Sequence, residues 1–188
     1  MSWIDQRPDD AMAGAFEAYA PDPIKTVDPA TFRDGMSRLG AAVHVVTTAG
    51  SAGKAGFTAT AVCSVSDSPP TLLVCLHRGS QSGPVLHANG VFCVNTLRAG
   101  EETTADAFAG RAVAGRQVVR EERFASGEWL SLATGAPVLA SAVVAFDCRI
   151  IEVKAMASHN VIFGAAVAVH FGAAAPALVY HEREYKRV

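Results

Sequence analysis

The stretch Gly56-Phe57-Thr58-Ala59-Thr60-Ala61-Val62-Cys63-Ser64-Val65-Ser66 decides how this sequence is interpreted. A half-buried strand normally alternates bulky apolar with polar residues. Here hydroxyl side chains alternate with small ones such as Ala59 and Ala61, which lets main-chain N–H and C=O groups approach a planar heterocycle closely. A Thr- and Ser-bearing outer face of a β-barrel would show the same pattern, and these residues alone favour neither interpretation.

Further strands are predicted on both sides of this stretch. The predicted strands are 42–47, 56–65, 71–77, 91–97, 138–153, 161–171 and one that starts at Leu178. Residues 154–160 are expected to form the turn between the two long apolar strands. Many strands of similar spacing with few helices favour a mainly β fold, an antiparallel closed barrel, over a doubly wound sheet. No Gly-x-Gly-x-x-Gly follows a strand, so the usual dinucleotide-binding turn is absent.

A few short helices are predicted to flank the strands. Asp28 can cap a helix that Pro29 opens and Gly40 ends. Two further short helices are expected at 84–89 and 101–108, and the mixed charge of 110–128 indicates an excursion outside the sheet. Residues 1–27 contain several Pro and Asp, so we expect an N-terminal arm that is flexible or wraps a partner. Residues 28–188 form the predicted domain.

Composition excludes several classes of protein. The chain has 188 residues, 50% hydrophobic and 18% charged, with a net charge of −2, which is typical of a folded domain with no broad attraction for nucleic acid or anionic lipid. Residues 161–180 carry no charged side chain, but Gly164, Gly172 and Pro176 interrupt them. We read this segment as strand, loop and strand rather than as a membrane span. No secretory signal opens the chain, and we expect a cytoplasmic protein.

The four cysteines give no sign of a metal site. Cys63, Cys75, Cys93 and Cys148 are widely spaced, without a Cys-x-x-Cys pair or an adjacent His. We therefore predict free, buried thiols in a reducing compartment and no bound metal.

The segment Arg78-Gly79-Ser80-Gln81-Ser82 lies between a predicted strand and a short helix. One cation, a glycine and hydroxyls at a helix start suit a phosphate group. A solvated turn would explain the same residues equally well.

Several segments in the same order resemble the flavin reductases of two-component monooxygenases, which have the FMN-binding split-barrel fold. The segments are Gly56–Ser66, Pro69–Cys75, Arg78–Ser82 and Val91–Leu97. Within that family the chain is most similar to the reductases of pyrimidine-ring oxidation, through Phe32-Arg33-Asp34-x-Met36, Gly40–Val43 and Phe146–Ile150. The resemblance covers about residues 28–188.

The resemblance implies a homodimer that takes a hydride from NADH or NADPH and delivers reduced FMN, or FAD, to a separate monooxygenase. Carried over by motif, the residues around the isoalloxazine are Thr58, Ala59, Thr60 and Ala61, with Ser64 and Val65 beside them. Those expected to hold the ribityl phosphate are Arg78, Ser80 and Ser82, and Tyr185 is expected to close the site. Asn95 is either near the same cleft or a hydrogen bonder within the sheet.

His159 is the candidate catalytic residue. Ser158-His159-Asn160 stands where family members often have Gly-Asp-His, so the resemblance implies that His159 contacts the nicotinamide or the flavin edge. Ser158 replaces the aspartate, so the carboxylate that would fix the imidazole tautomer is missing. The alternative is a turn histidine exposed to solvent.

Two questions stay open at this point. The basic cluster Arg111, Arg116, Arg120 and Arg123 fits a solvated helix face, a pyridine-nucleotide phosphate or a partner subunit. The alternative to a reductase is a split-barrel protein that binds FMN without turnover, as a binding module or sensor.

Overall fold

The computed structural model describes residues 25–188, except for the side chain of Glu121. The predicted N-terminal arm, residues 1–27, therefore lies almost entirely outside the described residues. The chain divides into two compact units after Met36. The first helix, α1 (Pro29–Ser37), begins where the sequence predicts, since Asp28 Oδ1 accepts the N–H groups of Ala30 at 2.9 Å and Thr31 at 3.1 Å.

Seven antiparallel strands form the main sheet, in the spatial order β3-β2-β6-β11-β12-β5-β4. They are β2 (His44–Thr48), β3 (Ala55–Ala59), β4 (Val62–Asp67), β5 (Pro70–His77), β6 (Val91–Thr96), β11 (Val144–Met156) and β12 (His159–Phe171). The prediction of a mainly β, antiparallel fold is confirmed.

Short strands form three smaller sheets beside the main one. They are β1 (Ala41–Ala42), β7 (Ala112–Val113), β8 (Arg116–Gln117), β9 (Trp129–Ser131), β10 (Pro137–Leu139), β13 (Leu178–His181) and β14 (Glu184–Arg187). The helices of this unit are α2 (Ser82–Asn89), α3 (Glu102–Phe108) and a 3-10 helix (Arg120–Phe124). The predicted excursion at 110–128 is confirmed, since its hairpin and 3-10 helix lie outside the main sheet. Among residues 25–188, no helix has the length and apolarity that crossing a bilayer requires.

The two edges of the main sheet meet at a seam. The edge strands β3 and β4 are consecutive in the chain and only Thr60 and Ala61 separate them. So short a connection holds the end of β3 next to the start of β4, at opposite edges of the hydrogen-bonded sheet. We call this junction the seam, and it lies within the stretch of small residues singled out above.

Four predicted boundaries are wrong. The predicted strand 42–47 is divided at Val43, because β1 pairs with β13 in a smaller sheet and only β2 joins the main one. The predicted strand 56–65 is broken at the seam into β3 and β4, because the chain there changes from one edge of the sheet to the other. The predicted turn 154–160 shrinks to Ala157 and Ser158, since the ladder of β11 and β12 extends to the Met156–His159 pair. The predicted strand 138–153 is two strands, because β10 leaves the main sheet to pair with β9.

Apolar residues on both faces of β6 separate two core clusters. Val91 and Cys93 belong to one cluster, whereas Phe92 and Val94 belong to the other. All six residues of β6 are buried, as expected when alternate side chains of a strand enter two cores. The same alternation predicted the strand but not the burial of its second face.

Asn95, on the same strand, is a structural residue. Its Oδ1 accepts the Leu139 N–H at 2.7 Å, and its Nδ2 donates to the Val45 carbonyl at 3.0 Å. A fully buried amide with both ends paired ties β10 and β2 to β6. The interpretation as a hydrogen bonder within the sheet is confirmed.

The cysteines differ in burial. All four are free; Cys93 and Cys148 are buried, Cys75 is half-buried and Cys63 is exposed. Burial raises the pKa of Cys148 to about 12, so this thiol stays protonated at neutral pH. The prediction of a buried thiol is wrong for Cys63, because β4 is an edge strand with open side chains.

Candidate functional site

A cavity of about 470 Å³ opens at the seam. This volume lies in the range of small-molecule sites. Its lining comprises Phe57–Ala61, Cys75–His77, Ser80–Ser82, Phe108–Gly110, Arg120, Arg123 and His159. The chain thus brings together residues that are up to 102 positions apart in sequence, between Phe57 and His159.

The stripe Thr58–Ala61 lies along this cavity, as the resemblance implies. Thr60 and Ala61 lie between the ladders of β3 and β4, so their N–H groups belong to neither ladder. The Ala61 carbonyl accepts the Cys75 N–H at 3.1 Å, which fixes the path of the main chain at the seam. The exposed Thr60 and Ala61 are therefore small residues on a defined backbone, and a flat ligand can approach that backbone.

Close packing on β3 explains the glycine that precedes the stripe. A Cβ atom on Gly56 would lie 2.6 Å from the Phe108 ring and 2.9 Å from the Val46 carbonyl oxygen. The Thr58 hydroxyl donates to the Ala105 carbonyl at 2.5 Å. Helix α3 is thus held tightly against β3, which makes the stripe a rigid wall of the cavity.

The loop that follows β5 is ordered by its own hydrogen bonds. The Gly79 N–H donates to His77 Nδ1 at 3.1 Å, and the Ser80 N–H donates to the His77 carbonyl at 2.9 Å. The Ser82 N–H donates to Ser80 Oγ at 3.3 Å, while the buried Ser82 hydroxyl donates to the Gly56 carbonyl at 2.9 Å. Ser80 therefore lines the cavity in a fixed position, and Ser82 anchors the start of α2 to β3.

Arg78 does not line the cavity. Its N–H donates to the Ser158 carbonyl at 2.9 Å, and its Nη1 donates to the Ala157 carbonyl at 3.4 Å. The exposed side chain thus lies against the turn between β11 and β12. The sequence placed Arg78 correctly on the loop but could not show which way its guanidinium group points.

His159 lies at the cavity, at the first position of β12. It pairs with His77 across the ladder, and the two rings meet edge to face with centroids 5.3 Å apart. Its Nδ1 lies 2.9 Å from the Ser158 hydroxyl oxygen. The Ser158 hydroxyl therefore supplies a hydrogen-bond partner for one ring nitrogen of His159.

Ser64, Val65 and Tyr185 do not line this cavity. Ser64 and Val65 are exposed on the edge strand β4. Tyr185 lines a separate cavity of about 190 Å³, which shares Thr58–Thr60 with the first one. The Tyr185 hydroxyl donates to Asp106 Oδ1 at 2.8 Å, and burial followed by this hydrogen bond raises the pKa of Tyr185.

The sequence left the role of Arg120 and Arg123 open, and both line the cavity. Their spacing of three residues was the available signal. In a 3-10 helix residues i and i+3 lie on one face, but the sequence did not show that residues 120–124 take this form. Among residues 25–188, no group of three or more His, Cys, Asp or Glu side chains is placed to hold a metal ion.

Comparison with known proteins gives the family. Residues 36–188 match the model of the flavin reductase like domain. A protein of Ancylobacter novellus named FMN reductase (NADH) RutF is 49% identical over 180 residues, which cover 96% of this chain and 93% of the relative.

Solved structures agree with that match. A Haemophilus somnus protein described as a candidate flavin reductase superposes with a TM-score of 0.79 at 42% identity, covering 86% of this chain and 100% of its own. BorF, the flavin reductase component of a bacterial two-component tryptophan halogenase, has a TM-score of 0.76 at 27% identity, covering 86% of this chain and 98% of its own.

Proposed function

Because this chain belongs to the flavin reductase like family, we propose that it is an NADH-dependent FMN reductase that supplies reduced flavin to a partner monooxygenase. The observation that carries the proposal is the open cavity at the seam. Small residues expose the main chain there, beside Ser80 of the loop after β5 and two arginines of the 3-10 helix. The A. novellus relative is named for FMN and NADH, and BorF is named as the reductase of a two-component system.

The residues of the cavity fit a flavin mononucleotide. Thr60 and Ala61 offer N–H groups outside any ladder to the polar edge of a flat ring. Ser80 offers a hydroxyl to a phosphate, and Arg120 and Arg123 offer guanidinium groups. The Ser82 hydroxyl donates a hydrogen bond to the Gly56 carbonyl, so we assign Ser82 to positioning α2.

The chemistry supplied by the flavin, when bound, is the acceptance of a hydride from the reduced nicotinamide. The protein groups then bind and orient both ring systems, because hydride transfer needs proximity and alignment more than a strong acid or base. Thr58–Ala61 would fix one side of the flat ligand, and the open mouth of the cavity leaves room for the reductant on the other.

His159 is suited to contact the nicotinamide. Its exposed ring stands at the cavity, held by Ser158 on one side and by the edge contact with His77 on the other. The short turn before it restricts the main chain, because Ala157 has a φ of 48°. We therefore assign His159 to positioning the nicotinamide against the flavin.

Steady-state assays test the proposal. The purified protein is mixed with each pairing of NADH or NADPH with FMN or FAD, and nicotinamide oxidation is followed by absorbance. We expect turnover, fastest with NADH and FMN. Absence of oxidation with every pair, despite flavin binding, would contradict it and leave the binding module or sensor.

His159→Ala is the variant for the same assay. We expect a higher KM for NADH and slower turnover, with FMN binding less affected. The control is His87→Ala, because His87 is an exposed histidine on α2 that does not line the cavity. Unchanged kinetics in His159→Ala would remove His159 from the mechanism.

A flavin that shuttles to a partner has to dissociate. The openness of the cavity supports release, and we expect FMN to be lost on dialysis. Retention of FMN through exhaustive dialysis would contradict the shuttle role and favour a resident prosthetic group.

We also propose a homodimer. Val167, Val169 and Phe171 lie at alternate positions of β12, so their side chains share one face, and they are 44%, 39% and 78% exposed. Ile151 and Met156 on the paired strand β11 are also more than half exposed. Apolar side chains gathered on one hairpin are typical of an interface, and sedimentation equilibrium measures whether a second copy covers them.

Four free cysteines and the use of NADH support a cytoplasmic location. Fractionation of cells that produce the protein tests this part of the proposal.

A further inference from the structure

We propose that Arg120 and Arg123 form the cationic half of a phosphoryl-binding site and make the cavity selective for phosphorylated flavins over riboflavin. This inference rests on the proposed function, since it names the group that the flavin cavity recognises. The sequence assigned the positive charge to Arg78, but Arg78 binds the turn between β11 and β12. Of the described residues that line the cavity, Arg120 and Arg123 are the arginines.

The local helix explains why both arginines face the same way. They lie three residues apart on the 3-10 helix Arg120–Phe124, in which residues i and i+3 are superimposed along the axis. Phe124 at the end of this helix packs edge to face on Phe108 and Trp129, each with centroids 5.1 Å away. The arginines are thus presented by an element that is anchored to the core cluster.

Arg123 lies close to Ser82, the first residue of α2. Its Nη1 donates to the Gly56 carbonyl at 3.4 Å, and the Ser82 hydroxyl donates to the same oxygen at 2.9 Å. The guanidinium group and the start of α2 therefore converge at one end of the cavity. A group held by the Ser80 hydroxyl would lie in the same cavity as the two arginines, whose guanidinium groups can form charge-assisted hydrogen bonds to a dianion.

The charge of the lining is consistent with this role. Among the described residues that line the cavity none is acidic. The nearby carboxylate of Glu122 is paired with Arg116 at 2.9 Å, and both side chains are exposed. The two arginines therefore place the positive charges of this lining where phosphoryl oxygens can meet them.

Both arginines also line a second space. A second space of about 610 Å³ is lined by Gln81, Gln117–Val119, Arg120 and Arg123, so both arginines border both spaces. A ligand longer than FMN, such as FAD, would have its additional nucleotide next to the same two arginines. The site thus recognises the phosphoryl group next to the ribityl chain, and the second space accepts the nucleotide that FAD carries beyond this phosphoryl group.

Equilibrium binding of three flavins tests the inference. Riboflavin, FMN and FAD are titrated separately, with fluorescence as the readout, against the wild type, Arg120→Gln and Arg123→Gln. We expect each variant to lose about 10-fold or more in affinity for FMN and FAD, because a charge-assisted contact to phosphate is removed. Affinity for riboflavin should change less than about 2-fold, so the preference of the wild type for FMN shrinks.

Three controls keep the result interpretable. Arg149→Gln removes an exposed arginine on β11 that lines neither space, and it should keep the wild-type preference. Arg123→Lys retains the charge and should recover part of the FMN affinity. Rising salt should weaken FMN binding more in the wild type than in Arg120→Gln.

Two outcomes would overturn the inference. Equal losses of affinity for riboflavin and FMN would show that the arginines support the cavity wall but do not bind the phosphate. A higher KM for NADH with unchanged FMN affinity would assign them to the pyridine nucleotide instead. Failure of the proposed function is separate, since a protein that prefers FMN to riboflavin through Arg120 and Arg123 but never oxidises NADH would keep this site and lose only the reductase activity.

Discussion

Strands β6 and β12 both lie inside the main sheet and are both rich in apolar residues, yet their side chains have different environments. Every residue of β6 is buried. On β12, Val167, Val169 and Phe171 are exposed. The apolar composition of a strand therefore indicates that its side chains favour burial. It does not indicate whether the same chain or a second copy buries them.

Matched truncations of two phenylalanines probe this contrast most strongly. Phe92 on β6 is 0% exposed, and Phe171 on β12 is 78% exposed. We expect Phe92→Ala to lower the free energy of unfolding by about 3–5 kcal/mol, from lost burial and a new cavity. Phe171→Ala should lower it by less than about 1 kcal/mol in the monomer.

Urea denaturation at several protein concentrations measures both values. The loss in Phe171→Ala should grow with protein concentration if Phe171 lies in a dimer interface, whereas the loss in Phe92→Ala should not. Similar losses at every concentration would contradict the distinction between the two strands.

The next largest effect is the dependence of the free energy of unfolding on pH that His44 causes. His44 on β2 is largely buried, and burial lowers its pKa to about 4 from 6.5. The unfolded chain therefore binds a proton at His44 below pH 6.5, and the folded chain resists it until about pH 4. The wild type should lose up to about 3 kcal/mol relative to His44→Gln as the pH falls through this window.

Urea unfolding of both proteins at pH 7, 5.5 and 4 measures that difference. It should be smallest at pH 7, where His44 is neutral in both states. Parallel pH profiles for the two proteins would show that His44 is not desolvated in the fold.

The smallest expected effect concerns the exposed apolar side chains of the hairpin β11–β12. Val167→Asp places a charge on the exposed apolar face of β12, and we expect it to raise the dimer dissociation constant at least about 10-fold by burying an unpaired carboxylate. Val119→Asp is the control, because Val119 is also exposed but lies outside the main sheet. Sedimentation equilibrium that gives one dissociation constant for both variants would argue against an interface on this face.

The sequence predicted most of the strands, because alternation of side chains along β2, β5 and β6 follows directly from strand geometry. It did not predict the seam, since Thr60 and Ala61 continue the alternation even though the chain changes sheet edge there. Alternation records which way side chains point, and it does not record where the hydrogen-bond partner of a strand changes.

The candidate site was predicted in part for a similar reason. Thr58–Ala61, Ser80 and His159 are brought together at the cavity as the resemblance implied. Arg78 and Tyr185 face other contacts, with the turn at Ala157 and with Asp106. The direction of a long side chain depends on neighbours that are distant in sequence, so a motif places the residue but not its terminal group.

The measurement that tests the central claim most directly is the affinity of FMN for Ala61→Leu. Ala61 is an exposed small residue at the seam and lines the cavity, so a larger side chain should block the approach of the ring to the main chain. We expect the FMN dissociation constant to rise at least about 10-fold while the free energy of unfolding stays within about 0.5 kcal/mol of the wild type. Ala52→Leu, at an exposed turn outside the cavity, should bind FMN normally. Wild-type FMN affinity in Ala61→Leu would contradict the account, because the flavin would then bind somewhere other than the seam.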